Sequence, residues 1–324
     1  MSLKREDIDP QLLGRLEPRI SWYHLTQRLL REHDKGDHFT KRELDDLLPL
    51  GAAIRVLATL TGIRRRGERN ARALSVTHHT CRSAKLPQAF DGYRILQLSD
   101  LHFDGPLDYL PGLSDCLEGL RYDLCVITGD FRHRFQDSKR LRDQFAALRP
   151  VIDAEIFAVP GNHDALGMVV WLEEMGYNFL LNESCAIRRA DASIRVAGVD
   201  DYHYFRCADI EKAMAGIEDE FVVMLNHSPE QFREAAYAGV DLYLSGHTHG
   251  GQVCGPGGWA PRLNLECSRR VGQGAWRFRD MTGYTSRGVG TSLAHLRFNC
   301  APEVVVHELR RESPGDEFQR HDAE

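Results

Sequence analysis

Arg94-Ile95-Leu96-Gln97-Leu98-Ser99-Asp100-Leu101-His102 decides how the rest of the chain is read. A short, mostly aliphatic run stops at small and polar residues, which is the pattern of a buried strand emptying into a loop. The pattern recurs. Leu124-Cys125-Val126-Ile127 ends at Thr128-Gly129-Asp130, and Ile156-Phe157-Ala158-Val159 ends at Pro160-Gly161-Asn162-His163-Asp164. Phe221-Val222-Val223-Met224-Leu225 ends at Asn226-His227, and Leu242-Tyr243-Leu244 ends at Ser245-Gly246-His247-Thr248-His249. Helical stretches between them, Asp137 to Leu148 and Asp209 to Ile217 among them, make the alternation that of an α/β fold. The carboxyl edge of such a sheet is where ligands bind, and each predicted strand delivers oxygen or nitrogen donors to that edge.

The donors collected in this way are Asp100, His102, Asp130, Asn162, His227, His247 and His249. Carboxylate, amide oxygen and imidazole together suit Mn, Fe or Zn better than Cu(I) or Ca. No Cys lies in the set, which disfavours a structural zinc site. The spacing within Asp100/His102 and within His247/His249 predicts both side chains of a pair on one side of an extended segment. Gly129, Gly161 and Gly246 each precede a donor, where glycine permits a tight turn and close backbone approach.

These motifs, Asp100-Leu101-His102, Gly129-Asp130, Gly161-Asn162-His163-Asp164, His227 and Gly246-His247-Thr248-His249, resemble in order the full pattern of the calcineurin-like metallophosphoesterases. The resemblance covers roughly residues 90–310. It is strongest toward the YkuE-like branch, through Ala89 to Ile95, Gly198 to Asp201, His249 to Gln252 and Ser286 to Gly290. It implies a layered α-β-β-α sandwich of two mixed sheets, and two divalent or trivalent metal ions per chain, Mn or Fe favoured and Zn compatible. Asp100, His102 and His249 would hold one ion, Asn162, His227 and His247 the other, with Asp130 bridging. A metal-bridging hydroxide would attack phosphorus. His163 would stabilise the developing charge and protonate the leaving oxygen, with Asp164 orienting the His163 ring. The implied function is hydrolysis of phosphate esters, phosphodiester or pyrophosphate favoured. A phosphomonoesterase, a nuclease and a non-catalytic metal-binding scaffold are the alternatives. Arg132 and His133, which depart from the family's usual small or acidic residue after Gly129-Asp130, and His203 are candidate substrate contacts.

The chain before residue 90 has another texture. Leu12, Leu13, Leu16, Ile20, Tyr23, Leu29 and Leu30 recur at helical spacing with Pro18 interrupting, and Thr40-Lys41-Arg42-Glu43 is a capping-box pattern. Leu50 to Ile63, apolar on most sides, runs into Arg64-Arg65-Arg66-Gly67-Glu68-Arg69. The expected division is a helical N-terminal extension over 1–88, the metallophosphoesterase domain over 89–312 and a charged tail over 313–324.

Residues 1–90 carry 17 Lys and Arg against 11 Asp and Glu, so this part is at +6 and the remainder at −12 within a net charge of −6. The acidic remainder gives no strong nucleic-acid signature. The basic extension leaves two readings open: peripheral contact with anionic lipid, or a helical subdomain packed on the catalytic domain or on another subunit. Met1 to Asp7 has no apolar signal region, no apolar run is long enough to span a bilayer, and the eight Cys form no C-x-x-C pair. The expectation is a cytoplasmic protein with reduced thiols, or a membrane-peripheral one if the lipid reading holds.

Overall fold

The computed structural model describes residues 3–38, 42–135 and 137–312. Four helices come first: α1 (Pro10–Leu16), α2 (Trp22–His38), α3 (Arg42–Leu60) and α4 (Arg64–Arg72). The Asp9 carboxylate caps α1 by accepting from the N–H groups of Gln11 and Leu12, which fills donors that the first turn cannot satisfy itself. Pro18 falls in the turn before α2. The expected capping box, which begins at Thr40, and the charged tail from residue 313 lie outside the described residues.

The remaining elements are β1 (Ser75–Ser83), β2 (Arg94–Leu98), α5 (Leu110–Leu117), β3 (Leu124–Thr128), α6 (Lys139–Leu148), β4 (Ile156–Val159), α7 (Leu166–Glu174), β5 (Asn178–Phe179), β6 (Glu183–Arg189), β7 (Ala192–Gly198), α8 (Ile210–Ala213), β8 (Val222–Leu225), α9 (Phe232–Tyr237), β9 (Leu242–Ser245), β10 (Gly274–Phe278), β11 (Met281–Thr285) and β12 (Glu303–Arg311), with short 3₁₀ turns between. One sheet has the order β1-β12-β2-β3-β4-β5 and the other β10-β11-β9-β8-β7-β6. In the first sheet β2 to β5 run parallel and β12 lies antiparallel to β2. In the second, β7, β8, β9 and β11 run parallel, flanked by antiparallel β6 and β10. Both sheets are mixed, as expected.

Strand alternation builds three apolar layers. Ile95, Val126 and Phe157 face Val196, Val223, Leu225 and Leu242 between the sheets. Leu96, Leu98, Ile127 and Ala158 point the other way, onto Leu113 of α5, Phe145 of α6 and Val169 of α7. Val222, Met224 and Tyr243 cover the outer face of the second sheet with Ile210 of α8 and Phe232 of α9. The result is a four-layer α-β-β-α sandwich. Gln97, fully buried, ties the two sheets: its amide donates to Ser245 O at 2.9 Å and its Oε1 lies 2.9 Å from His307 Nε2.

Two stretches differ from the sequence reading. Residues 75–83, placed there within the helical extension, form β1 and pair in parallel with β12. This strand closes one end of its sheet, so it lacks the aliphatic run of a central strand, and only its β-branched Val76, Thr77 and Thr80 suit the pleat. The helix expected from Asp209 to Ile217 is confined to α8. The Asp209 side chain caps it through Lys212 N–H, and Gly216 at φ 74° takes the chain out of the helical region.

The first two helices are fastened to the catalytic layers. Leu16, Ile20 and Leu25 join the core outside the first sheet. From α2, Arg28, 1% exposed, pairs with Asp200 at 3.1 Å and donates to Asp164 O at 2.8 Å. One turn on, Glu32 accepts from Leu166 N–H at 2.9 Å. Arg28→Ala leaves the Asp200 carboxylate buried without its cation, so a loss of about 3–5 kcal/mol in unfolding stability is expected from urea melts. A change under about 1 kcal/mol, the size of an exposed pair, would mean that α2 is not docked on these loops.

Candidate metal centre

Asp100 and His102 follow β2, Asp130 follows β3, Asn162 follows β4, His227 follows β8, and His247 and His249 follow β9. The parallel strands bring these ends to one edge of the sandwich, and the side chains converge. In one group His102 Nε2 lies 3.2 Å from His249 Nε2 and 3.6 Å from Asp130 Oδ2, while His249 Nε2 lies 3.5 Å from Asp100 Oδ1. In the other, Asn162 Oδ1 lies 3.0 Å from both His227 Nε2 and His247 Nδ1, which are 3.2 Å apart. His227 Nε2 is 3.4 Å from Asp130 Oδ1. The two oxygens of Asp130 thus face different groups.

The chemistry of this set fits cations. His102 Nδ1 is 2.9 Å from Arg132 O and His227 Nδ1 is 2.8 Å from Thr128 O. Hydrogen bonds to these carbonyls place the ring protons on Nδ1 and aim the Nε2 lone pairs inward. Burial, aided by His203 and His227 for one and by His102 and Arg297 for the other, drives the imidazoles of His247 and His249 well below their ordinary pKa, so both are neutral donors. Burial opposes the charge of Asp130, but the imidazoles of His227 and His163 outweigh it and hold the carboxyl well below its usual range. His227, although desolvated, is raised to about 10 by Asp130. A cation at His227 Nε2 would have to displace that proton.

The two-residue motifs are not extended. Asp100, His102, Asp130, His247 and His249 all have left-handed backbone, with φ from 45 to 71°. A non-glycine residue there is strained, and such strain persists where surrounding contacts enforce it. Those contacts are visible: Asp100 N–H donates to Gly129 O, His102 N–H to Asp130 O, and His247 N–H to the Asp100 carboxylate. The turns rather than a pleat bring both members of each pair inward. A Cβ on Gly246 would fall onto Ser99 Oγ and Asp100 Oδ2. Gly246→Ala is therefore expected to displace Asp100 and weaken cation binding about 10- to 100-fold, measured by metal titration. An unchanged affinity would show that this close approach is not required.

The remaining predicted residues lie around this cluster. His163 Nδ1 donates to His133 O at 2.8 Å, and the His163 ring sits 5.2 Å from that of His102. Asp164, expected to orient the His163 ring, is fully buried beside the loop backbone. Its carboxylate accepts from Gly161 N–H at 2.8 Å and Phe131 N–H at 3.0 Å, so it fixes the loop backbone while the carbonyl of His133 orients the ring. Arg132, anticipated as a phosphate contact, is turned inward at 2% exposure and donates to His163 O at 2.8 Å. The ring of His133 stacks on His163 at 5.9 Å, with His295 edge-on at 5.1 Å. His203 lies 4.1 Å from the His247 ring and pairs with Glu230 at 2.9 Å.

Several neighbours have no motif to announce them. Asn264 reaches both His203 and His247. Arg297, fully buried, donates to the carbonyls of Arg287 and Gly290, and Val289 and Gly290 bond back to Ser99 and Asp100. Ser99 Oγ donates to Asp100 at 2.6 Å. For Arg297 and Asn264, lone residues far along the chain, no spacing could have signalled the contact.

A family model described as calcineurin-like phosphoesterase matches residues 93–251. The metallophosphoesterase YkuE of Bacillus subtilis is 29% identical over 73% of this chain and 86% of its own length. A metallophosphoesterase of Aquifex aeolicus is 30% identical over 73% of this chain and 92% of its own. The phosphodiesterase YaeI of Escherichia coli is 31% identical over 67% of this chain and 82% of its own. Among the described residues no helix is long and apolar enough to cross a membrane.

Proposed function

Because the chain belongs to the calcineurin-like phosphoesterase family, and is with it a metal-dependent hydrolase of phosphoric esters, we propose that it cleaves phosphodiesters at a centre of two cations. One observation carries the reading: the oxygens of a single carboxylate, Asp130, are divided between two groups of oxygen and imidazole donors. Asp100, His102 and His249 would hold one cation; Asn162, His227 and His247 would hold the other. The mixed oxygen and imidazole set favours Mn or Fe and also suits Zn. When bound, such a pair supplies Lewis acidity at phosphoryl oxygens and a water of lowered pKa.

The chain's own groups do the rest. The Nδ1–H of His163 is committed to His133 O, so Nε2 is the atom that takes up a second proton and delivers it to the leaving oxygen. Arg132 and Asp164 hold the loop that presents this imidazole, as positioning residues. His203, fixed by Glu230 beside His247, and the ring of His133 would meet the substrate's phosphoryl oxygens. These groups act at phosphorus and the leaving oxygen and do not by themselves select the ester class. The preference for diesters draws on the likeness to YaeI, named a phosphodiesterase.

Comparison of bis-p-nitrophenyl phosphate with p-nitrophenyl phosphate tests this preference. A kcat/KM at least about tenfold higher on the diester, a difference of about 1.4 kcal/mol in transition-state binding, is expected. A monoester preference of that size would overturn it.

A further inference from the structure

Helix α3 has two unlike faces. Its inner face packs on the chain beside the candidate site: Ala58 joins Ala294 and Leu296 in a small apolar cluster, and Gly51 lies against the backbone of Leu293. Among the described residues, the other face of its C-terminal part is exposed. Val56 is 57% exposed, Leu57 62% and Leu60 80%, and Ile63, just past the helix, is 42% exposed. Positions 56, 57 and 60 fall on one stripe of the helix, and Ile63 follows after the turn at Gly62. Soluble surfaces seldom leave so many large aliphatic side chains together in water, and such a patch marks an interaction surface.

Over residues 51–74 the charge is predominantly positive. Arg55, Arg64, Arg65, Arg66, Arg69 and Arg72 are all exposed. Between residues 51 and 74 the one carboxylate is Glu68, which pairs with Arg64 at 2.8 Å. A second copy docking isologously would set these arginines against each other. An anionic bilayer matches both features. Aliphatic side chains on a protruding helix enter the boundary between headgroups and acyl chains, and flanking arginines reach up to the lipid phosphates.

The docking face is also connected to the site. The loop on which α3 packs carries His295, whose ring is 5.1 Å from that of His133, itself stacked on His163. We propose that the α3–α4 surface docks on an anionic phospholipid bilayer, with Val56, Leu57, Leu60 and Ile63 at the headgroup boundary. Docking holds the rim of the candidate site at the membrane surface. The inference stands on surface residues alone and does not depend on the metal reading.

Co-sedimentation of the full chain with vesicles tests it, using phosphatidylcholine with phosphatidylglycerol against phosphatidylcholine alone. The protein is expected to pellet with the anionic vesicles at low salt and to be released at high salt. Leu57→Glu with Leu60→Glu, and separately Arg65→Glu with Arg66→Glu and Arg69→Glu, are each expected to weaken binding by at least about tenfold. Leu60→Trp is expected to shift its emission to the blue on vesicle addition. Hydrolysis of a soluble diester should be unchanged in the Leu57/Leu60 variant, which separates lost docking from lost folding. Absence of pelleting at low salt overturns the proposal, as does pelleting that both sets of variants retain. A dimer in light scattering that the Leu57/Leu60 variant dissolves, with no vesicle binding, would assign the face to a second copy instead.

Discussion

Asp130→Asn is expected to lower phosphodiester hydrolysis by at least about 10³-fold, beyond the loss typical of deleting one stabilising donor. The argument is geometric. Asp130 Oδ2 faces His102 and Oδ1 faces His227, and an amide of the same shape offers one acceptor oxygen and one NH₂ donor. One of the two groups would meet N–H where it needs a lone pair. The amide also removes the negative charge that holds His227 protonated near pKa 10 in the absence of metal. Metal analysis of the purified variant should show at most one tightly held cation. Retention of two cations together with near-normal turnover would mean that the carboxylate is not shared.

His163→Ala is expected to reduce kcat by about 10²- to 10⁴-fold, the usual range for a group that moves a proton in the transition state. Metal content should stay intact, because the ring of His163 is not one of the seven donors, although its backbone N–H bonds Asp130 Oδ1 at 2.9 Å. Cleavage should recover in part for esters with acidic leaving groups, since these depart without a proton. An equal loss for good and poor leaving groups would point to charge stabilisation rather than proton delivery.

The positions of the donors were legible in the sequence because strands buried on both faces read as short, mostly apolar runs. Arg94–Leu98 and Ile156–Val159 were bounded to the residue, and the polar residues after them necessarily fall at one sheet edge. The edge strand β1 was not legible, because half-exposed Thr and His residues carry no such signal. Neither was the left-handed backbone of Asp100, His102, Asp130, His247 and His249: glycine would have announced it, whereas here tertiary hydrogen bonds impose it on residues that resist it.

Partners far apart in the chain were equally silent. Arg28 meets Asp200 across 172 positions. The resemblance implied that Asp164 orients the His163 ring, and nothing in the motif signalled that its carboxylate also accepts from the backbone of Gly161 and Phe131. Sequence proximity predicts which residues share a loop, while the direction of each side chain is settled by packing.

The most direct test of the two-cation centre is a Mn titration of metal-stripped protein, following bis-p-nitrophenyl phosphate hydrolysis and bound metal together. Because the geometry divides Asp130 between two groups of donors, activity should be absent without metal and reach its plateau only as a second equivalent binds. Turnover that survives stripping, or that saturates at one equivalent, would contradict the account.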